Sequence, residues 1–166
     1  MKVKVKVPAT SANLGPGFDV AGLALTLYNT FTFELADQGL NITGCPEQFC
    51  NEENMTYQAF KQAAEICGLE YQGVNIECSG DVPYTRGLGS SSTCIVAGIV
   101  GAFAFKDKVE DRQEILELAT AIEGHPDNVA PAIFGGLTVS VMEEDNVLTL
   151  NIPVKHDYRF VTLIPP

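Results

Sequence analysis

A glycine- and serine-rich run, GLGSSS at residues 87–92, has the residue types that bind phosphate groups. Gly87 and Gly89 can adopt backbone angles that are unfavourable for other residues, so that successive N–H groups can converge on an anion. The serines that follow are predicted to begin a helix, whose free N–H groups and dipole also favour an anion. The run lacks the lysine of the GxxxxGK[ST] loop, and on its own a tight turn with a serine N-cap explains it equally well.

Two other polar segments contain side chains suited to a small polar ligand. Residues 8–19, PATSANLGPGFD, include Asn13 and Asp19, and residues 123–136, EGHPDNVAPAIFGG, include His125. A carboxylate can pair with an ammonium group, and amide and imidazole groups can donate or accept hydrogen bonds. Each residue also has a purely structural explanation, since Asp19 follows a Pro-Gly turn and His125 is placed to cap or brace a loop.

PYTRGLGSSS, residues 83–92, resembles the phosphate-binding motif of the kinase superfamily that includes galactokinase, homoserine kinase, mevalonate kinase and phosphomevalonate kinase. Residues 8–19 and 123–136 are similar to the forms that the homoserine kinase branch has at two other motifs. Three motifs in the family's order, spread over most of the chain, point to this branch rather than to the superfamily alone. The resemblance implies ATP-dependent phosphorylation of the side-chain hydroxyl of L-homoserine to O-phospho-L-homoserine, a step in threonine biosynthesis.

The resemblance implies that Asn13, Asp19 and His125 bind L-homoserine. It also places Asn128 at the reaction centre, where the mevalonate kinase branch has an aspartate thought to act as the base. An amide cannot accept a proton near neutral pH, so the substrate hydroxyl would attack the γ-phosphate without a strong side-chain base. Asp127 is the alternative base, and bracing of the loop is the interpretation that we favour for it.

The resemblance further implies two cofactors, ATP and Mg²⁺. Ser91 and Glu117 would ligate the magnesium ion, which prefers oxygen donors and often takes only one or two from the protein. A solvated helix face is the alternative for Glu117, and a plain N-cap is the alternative for Asn54, which the resemblance puts near the adenine. The residues implied to bind ATP are Asn54, Pro83, Tyr84, Thr85, Arg86, Gly87, Leu88, Gly89, Ser90, Ser91, Ser92 and Thr93.

Hydrophobic periodicity predicts the elements that must position these residues. Alternation predicts a half-exposed edge strand at KVKVKV and a long strand over residues 22–35, with a bulge or bend at Asn29 and Thr30. Helical spacing predicts helices over residues 55–67 and 112–123, and a buried helix directly after the glycine loop. Further strands are predicted at residues 74–78, 137–141, 147–152 and 160–164, the middle two as a hairpin.

These elements make one α+β unit, predicted to be a single domain of residues 1–166. The resemblance implies a two-layer, ribosomal-protein-domain-like fold with a left-handed βαβ crossover, the amino-terminal domain of these kinases. Members of the family are longer, with a third glycine-rich motif in a ferredoxin-like second domain, and nothing like that motif occurs in this sequence. We therefore expect an isolated first domain with weak or no turnover, whose apolar surface favours a homo-oligomer.

Composition limits the partners and the location. The formal net charge of −11 argues against nucleic acid, because such a chain repels phosphate backbones. Five scattered cysteines without CxxC spacing favour reduced thiols in a cytoplasmic protein over a disulfide framework or a zinc site. The longest apolar run, residues 94–105, is shorter than the roughly 20 residues that a bilayer requires, and no secretory signal is evident, so we expect no membrane partner.

Two other functions stay open from the sequence. Another kinase of the superfamily, acting on mevalonate or a sugar, would share the phosphate motif, although Asn128 and the first motif argue against it. A non-catalytic module that binds nucleotide without chemistry is a different class of function. The expected lack of a second domain favours this reading for the chain as it stands.

Overall fold

The computed structural model describes residues 1–143, 146–155 and 158–161. These residues form a mixed sheet, four α-helices and one 3-10 turn. The strands are β1 (Lys2–Ala12), β2 (Ala21–Ala36), β3 (Gly39–Thr43), β4 (Gly73–Gly80), β5 (Leu137–Glu143) and β6 (Asn146–Ile152). The helices are α1 (Met55–Cys67), α2 (Ser90–Ala104), α3 (Arg112–Glu123) and α4 (Pro126–Phe134), and the 3-10 turn is Glu47–Phe49.

The sheet forms one layer and the helices form the other. The strand order of the sheet is β3-β4-β2-β5-β6, with β1 paired to β2. β3 and β4 are parallel and are joined through α1, which makes a βαβ unit, and the other pairings are antiparallel. The predicted α+β class is confirmed. The half-exposed edge strand is also confirmed, since Val3, Val5 and Val7 lie in the core while the lysines between them are exposed.

The main core lies between the sheet and the pair α1 and α2. Phe33 of β2 and Phe60 of α1 are fully buried there, and their rings stack with centroids 5.5 Å apart. α2 approaches α1 closely because glycine stands where a side chain would clash: a Cβ at Gly98 would lie 2.3 Å from the carbonyl oxygen of Thr56. This packing fixes the start of α2, and with it the glycine loop. The predicted buried helix after the loop is confirmed.

The two other predicted helices begin and end where their capping residues indicate. Asn54 caps α1 through its side chain, and Gly68 ends that helix in the left-handed conformation at φ 70°. Asp111 caps α3, and Gly124 ends it in the same way. Because these caps are encoded locally, both helices match their predicted bounds.

The long strand β2 carries its irregularity elsewhere than predicted. Asn29 and Thr30 pair with β1 and β4 without a break, so the predicted bulge at these residues is wrong. The register shifts instead between Pro8 and Thr10 of β1. At that point the sheet leaves the main core for a smaller cluster, made of Ala9, Val82 and Leu88, with Leu25 and Leu27 packed against them. The change of core therefore sets the position of the irregularity.

The sequence does not predict β3, the 3-10 turn or α4. Helix α4 begins at Pro126, where the missing N–H of proline costs nothing, and it also contains Pro131. The predicted hairpin is confirmed as β5 and β6. Phe160 and Val161, from the predicted last strand, lie in no strand, and residues 162–164 fall outside the described residues. Among the described residues, no helix combines the length and apolar composition needed to cross a bilayer.

Candidate nucleotide and substrate site

The glycine loop has an open backbone. Thr85, Gly87 and Gly89 have positive φ, at 56°, 69° and 66°. In the described part of the chain, no amide from residues 87–92 donates a hydrogen bond to a protein acceptor. The next amide, that of Thr93, bonds the carbonyl oxygen of Gly89 at 3.0 Å. Free N–H groups are therefore gathered at the start of α2, where the helix dipole also favours an anion.

A cavity of about 470 Å³ opens beside this loop. Its walls are β4, residues 44–56 and the start of α2. The rings of Phe49 and Tyr84 lie on it with centroids 6.3 Å apart. Of the residues predicted to bind ATP, the cavity is lined by Asn54, Tyr84, Thr85, Ser90 and Ser91. The volume and the aromatic side chains suit a planar heterocyclic base.

Asn54 serves as the N-cap of α1 and lines the cavity as well. Its Oδ1 accepts hydrogen bonds from the amides of Thr56 and Tyr57 at 2.9 and 3.2 Å. Its Nδ2 donates to the carbonyl oxygen of Phe49 at 2.8 Å. Its nitrogen also faces Cys45 Sγ at 4.0 Å. With both N–H groups and the oxygen occupied, Asn54 can contact a ligand only by packing.

The remaining residues predicted to bind ATP divide by exposure. Arg86 and Gly87 are exposed, whereas Leu88 is buried in the smaller core cluster. The hydroxyl of Thr93 donates to the carbonyl oxygen of Ser90 at 2.8 Å and accepts from Asn29 Nδ2 at 3.2 Å. Leu88 and Thr93 therefore hold the loop in place, and their side chains do not face a ligand. Pro83 is half-buried.

Ser91 lies beside a carboxylate, but that carboxylate belongs to Glu123. The hydroxyls of Ser91 and Ser92 both donate to Glu123 Oε1, at 2.7 and 3.1 Å. Glu117 instead accepts from Gln113 Nε2 at 2.7 Å. It lies six residues earlier on α3, about 9 Å along the helix axis. The structure therefore does not bring Glu117 to Ser91 as the sequence predicts, and it pairs Ser91 with Glu123.

The Ser91 and Glu123 oxygens fit a magnesium ion. Both are hard oxygen donors, and one is a carboxylate. Their separation of 2.7 Å is close to the roughly 2.9 Å between neighbouring ligands of an octahedral Mg²⁺ with bonds of about 2.0–2.1 Å. The pair also lies at the first turn of α2, next to the free amides that would hold phosphate.

Residues of the first and last motifs meet at a second place. Asp19, His125 and Asp127 each bring one ligand atom within 4.8 Å of the others. Asp127, 1% exposed, hydrogen-bonds His125 Nδ1, whereas Asp19 is exposed. Asn13 Oδ1 accepts from the Asp19 amide at 3.0 Å, and both residues have positive φ, at 67° and 54°. This unusual loop conformation brings the Asp19 carboxylate to His125.

Thr10 joins this cluster to the glycine loop. Its hydroxyl donates to Asn128 Oδ1 at 2.8 Å, and its amide donates to the carbonyl oxygen of Leu88 at 3.1 Å. Asn128 Nδ2 in turn donates to Asp127 Oδ1 at 3.4 Å. A Cβ at Gly89 would lie 2.0 Å from Thr10 Oγ1. The glycine loop and the predicted reaction centre are therefore linked through a single residue, Thr10.

Sequence reasoning does not identify Thr10, Glu123 or Phe49 as site residues. Thr10 lies inside the first motif and Glu123 is the first residue of the last one, so their motif positions were an available signal. Phe49 has no such signal, because the 3-10 turn that presents it has no hydrophobic periodicity.

Comparison with known sequences gives consistent matches. The model of the GHMP kinases N-terminal domain matches residues 54–136. A homoserine kinase of Clostridium beijerinckii is 50% identical over 164 residues, which are 98% of this chain and 55% of the relative. A homoserine kinase of Clostridium botulinum strain Alaska E43 is 47% identical with the same coverage. The chain therefore spans about half the length of the curated relatives that it matches.

Solved structures of similar fold also include kinases. A homoserine kinase from Cytophaga hutchinsonii superposes with a TM-score of 0.77 at 30% identity, covering 92% of this chain and 52% of that one. The mevalonate kinase of Methanococcus jannaschii superposes with a TM-score of 0.72 at 16% identity, over 93% of this chain and 57% of that one. At that identity the second likeness concerns the fold alone.

Proposed function

The chain belongs to the GHMP kinases, whose amino-terminal domain it matches, and we propose that it transfers phosphate from ATP to the side-chain hydroxyl of L-homoserine. The product would be O-phospho-L-homoserine, an intermediate of threonine biosynthesis, and the reaction would take place in the cytoplasm. One observation carries the proposal. Thr10 connects the open glycine loop directly to Asn128, beside Asp19 and His125. The relatives named homoserine kinase support the choice of substrate.

In this proposal the nucleotide lies across the start of α2. The free amides of residues 87–92 bind its phosphates, and Arg86 offsets their charge. The cavity beside the loop holds the adenine against Phe49 and Tyr84. Ser91 and Glu123 hold the magnesium ion, which when bound neutralises charge on the phosphates.

Homoserine carries an ammonium, a carboxylate and the reacting hydroxyl. Asp19 pairs with the ammonium because its carboxylate is exposed at the cluster. Asn13 and His125 provide hydrogen bonds to the other polar groups. His125 keeps its orientation through the bond to Asp127, which is buried and bonded on two sides, so Asp127 braces the cluster and is not the base.

Asn128 orients the acceptor hydroxyl without taking its proton. Its Oδ1 already accepts from Thr10, so the group that it can offer the substrate is the N–H of Nδ2. Phosphoryl transfer passes through a loose transition state, in which positioning and charge stabilisation supply most of the acceleration. A reaction centre without a strong side-chain base is sufficient for that chemistry.

A non-catalytic nucleotide-binding module is the second candidate, favoured by the chain's length. The chain spans about half of its curated relatives, and family members are thought to draw further substrate-binding residues from the other half. We therefore propose that this chain alone, a single domain over residues 1–166, binds nucleotide and turns over homoserine weakly or not at all.

Isothermal titration of the chain with ATP and Mg²⁺, with and without homoserine, tests both candidates. Heat of ATP binding that depends on Mg²⁺ is the expected result, with little phosphohomoserine detected by mass spectrometry. Absence of ATP binding would contradict the nucleotide site. Ready phosphorylation of homoserine would contradict the proposed weak turnover and support homoserine as the substrate. In parallel reactions with mevalonate or a sugar as the acceptor, a preference for either would contradict homoserine as the substrate.

A further inference from the structure

Two partly exposed thiols lie in contact beside the cavity, and Cys45 is the one that lines it. The Sγ atoms of Cys45 and Cys50 are 3.4 Å apart, and both cysteines are free. The 3-10 turn Glu47–Phe49 folds the chain back between them, with the Cys50 amide bonded to the carbonyl oxygen of Glu47 at 3.0 Å. A disulfide requires its sulfur atoms about 2.05 Å apart. Closure of the pair therefore needs only a small movement of the side chains.

We propose that Cys45 and Cys50 form a reversible disulfide by exchange with a small-molecule disulfide, and that this bond weakens nucleotide binding in the adjacent cavity. The first half of the proposal stands on the geometry of the pair. The second half rests on the proposed function of the cavity as a nucleotide site.

The exchange has two displacement steps. The thiolate of one cysteine attacks a sulfur of the disulfide RSSR, and one RS⁻ leaves. The second cysteine loses its proton, attacks the protein sulfur of the mixed disulfide, and releases the second RS⁻. The two protein thiols have then lost two electrons and two protons, and RSSR has become two RSH.

The environment of the thiols sets the pH dependence of the exchange. Burial, together with the hydrogen bond to Cys50 and its nearby charge, raises the pKa of Cys45 to about 11. Because the thiolate is the nucleophile, closure is slow at neutral pH and becomes faster as the pH rises toward that value. Burial raises the pKa of Cys78, which also lines the cavity, to about 12. The Cys78 thiolate is therefore also scarce at neutral pH.

The disulfide affects the cavity through Phe49, the residue next to Cys50. The ring centroids of Phe49 and Tyr84 are 6.3 Å apart. A flat base between two rings needs about 7 Å, since each van der Waals contact takes at least about 3.5 Å. The two rings must therefore separate when a base enters between them, and Phe49, on a short exposed turn, is the ring that the proposal takes to move. A bond between residues 45 and 50 stiffens the turn that carries Phe49 and opposes this movement.

The test uses the whole chain, first reduced and then incubated with oxidised glutathione at mildly alkaline pH. Peptide mapping by mass spectrometry should show a cross-link between Cys45 and Cys50 with the loss of two hydrogens, reversed by dithiothreitol. Isothermal titration should then give an ATP affinity about threefold or more weaker for the oxidised chain, because the turn is held in its unliganded conformation and must be distorted before the base can enter. Saturating ATP should shift the exchange equilibrium toward the reduced pair by the same factor, since such coupling is reciprocal.

Cys50→Ser is the matched control, because Cys50 does not line the cavity. This variant should bind ATP as the reduced chain does and should lose the response of ATP affinity to oxidised glutathione. A lasting glutathione adduct, a cross-link to Cys78, or equal ATP affinities of the two forms would overturn the proposal. If the reduced chain binds no ATP, the second half fails with the proposed function, and the mass measurement still decides the first half.

Discussion

The amide of Asn128 has a defined orientation, and this orientation limits its chemistry. Its oxygen faces the buried hydroxyl of Thr10 at 2.8 Å, and its nitrogen faces Asp127. An aspartate in this position would turn a carboxylate oxygen, in place of the Nδ2 donor, toward the Asp127 carboxylate. The asparagine instead presents a donor to the acceptor site, which is consistent with phosphoryl transfer that depends on positioning.

Substitutions of Glu123 and Glu117 should have different effects on the ATP affinity that depends on magnesium. Glu123→Gln removes the charge beside Ser91, and we expect ATP affinity in the presence of Mg²⁺ to fall about tenfold, or about 1.4 kcal/mol. Affinity measured without Mg²⁺ should change little. Glu117→Gln is the matched control on the same helix and should leave both affinities unchanged, because the Glu117 carboxylate accepts from Gln113, away from Ser91. The reverse pattern in isothermal titration would restore Glu117 as the ligand.

Gly89 and Gly87 have nearly the same backbone angle but different surroundings. A Cβ at Gly89 would meet Thr10 Oγ1 at 2.0 Å, whereas a Cβ at Gly87 would meet nothing within 4 Å. Gly87→Ala should therefore cost only left-handed backbone strain, about 1 kcal/mol. Gly89→Ala adds displacement of Thr10, so we expect a loss of about 2–3 kcal/mol in the free energy of unfolding. Urea unfolding measures the free energy of unfolding of both variants. Equal losses would show that the Thr10 side chain moves aside without cost.

Strand β1 connects the two halves of the site at the level of elements. Its residue Thr10 bonds the glycine loop through the backbone and the start of α4 through the side chain. Thr10→Val keeps the shape of the side chain but leaves Asn128 Oδ1 without its donor. The expected loss is about 1–3 kcal/mol of unfolding free energy, together with an altered NMR signal of the Asn128 side-chain amide. Thr10→Ser should retain that signal, and a serine variant that behaves like valine would exclude the hydroxyl as the cause.

Elements with local signals are the ones that the sequence predicts. Helix α1 is capped by Asn54 at its start and by Gly68 at its end. The positive φ angles of the glycine loop occur at Gly87 and Gly89, where glycine is the residue that favours them. Strand β3 has no such signal, since its five residues become a strand only by pairing with β4 across the whole of α1. The choice between Glu117 and Glu123 is equally non-local, because both lie on α3 and only the packing of α3 on α2 decides which carboxylate reaches Ser91.

The Cys78 thiol of strand β4 should make the stability of the fold depend on pH in the alkaline range. Burial is the main cause that raises the pKa of the Cys78 thiol to about 12, from an ordinary value of 9.0. A raised pKa in the folded state means that the neutral thiol is favoured there, so its contribution to stability is complete below about pH 9 and is lost as the pH rises toward 12. We expect the unfolding free energy to fall over this range, and to fall less in Cys78→Ala. Parallel curves for both proteins in urea titrations would contradict the shift.

The hairpin of β5 and β6 has an exposed apolar face, from which we expect the whole molecule to self-associate. Val141 of β5 pairs with Leu148 of β6, and these residues are 55% and 61% exposed, while Leu150 on the same face is 68% exposed. β6 is also an end strand of the sheet among the described residues. An apolar patch of this kind favours association, so we expect concentration-dependent self-association in sedimentation velocity. Burial of one leucine side chain contributes about 1.5–3 kcal/mol, so Leu150→Lys should weaken association roughly tenfold or more. Thr43→Lys, exposed on the opposite end strand β3, is the control for added charge and should associate as the unchanged chain does. A chain that stays monomeric at all concentrations would contradict the prediction, and association that is insensitive to Leu150→Lys would place the contact elsewhere.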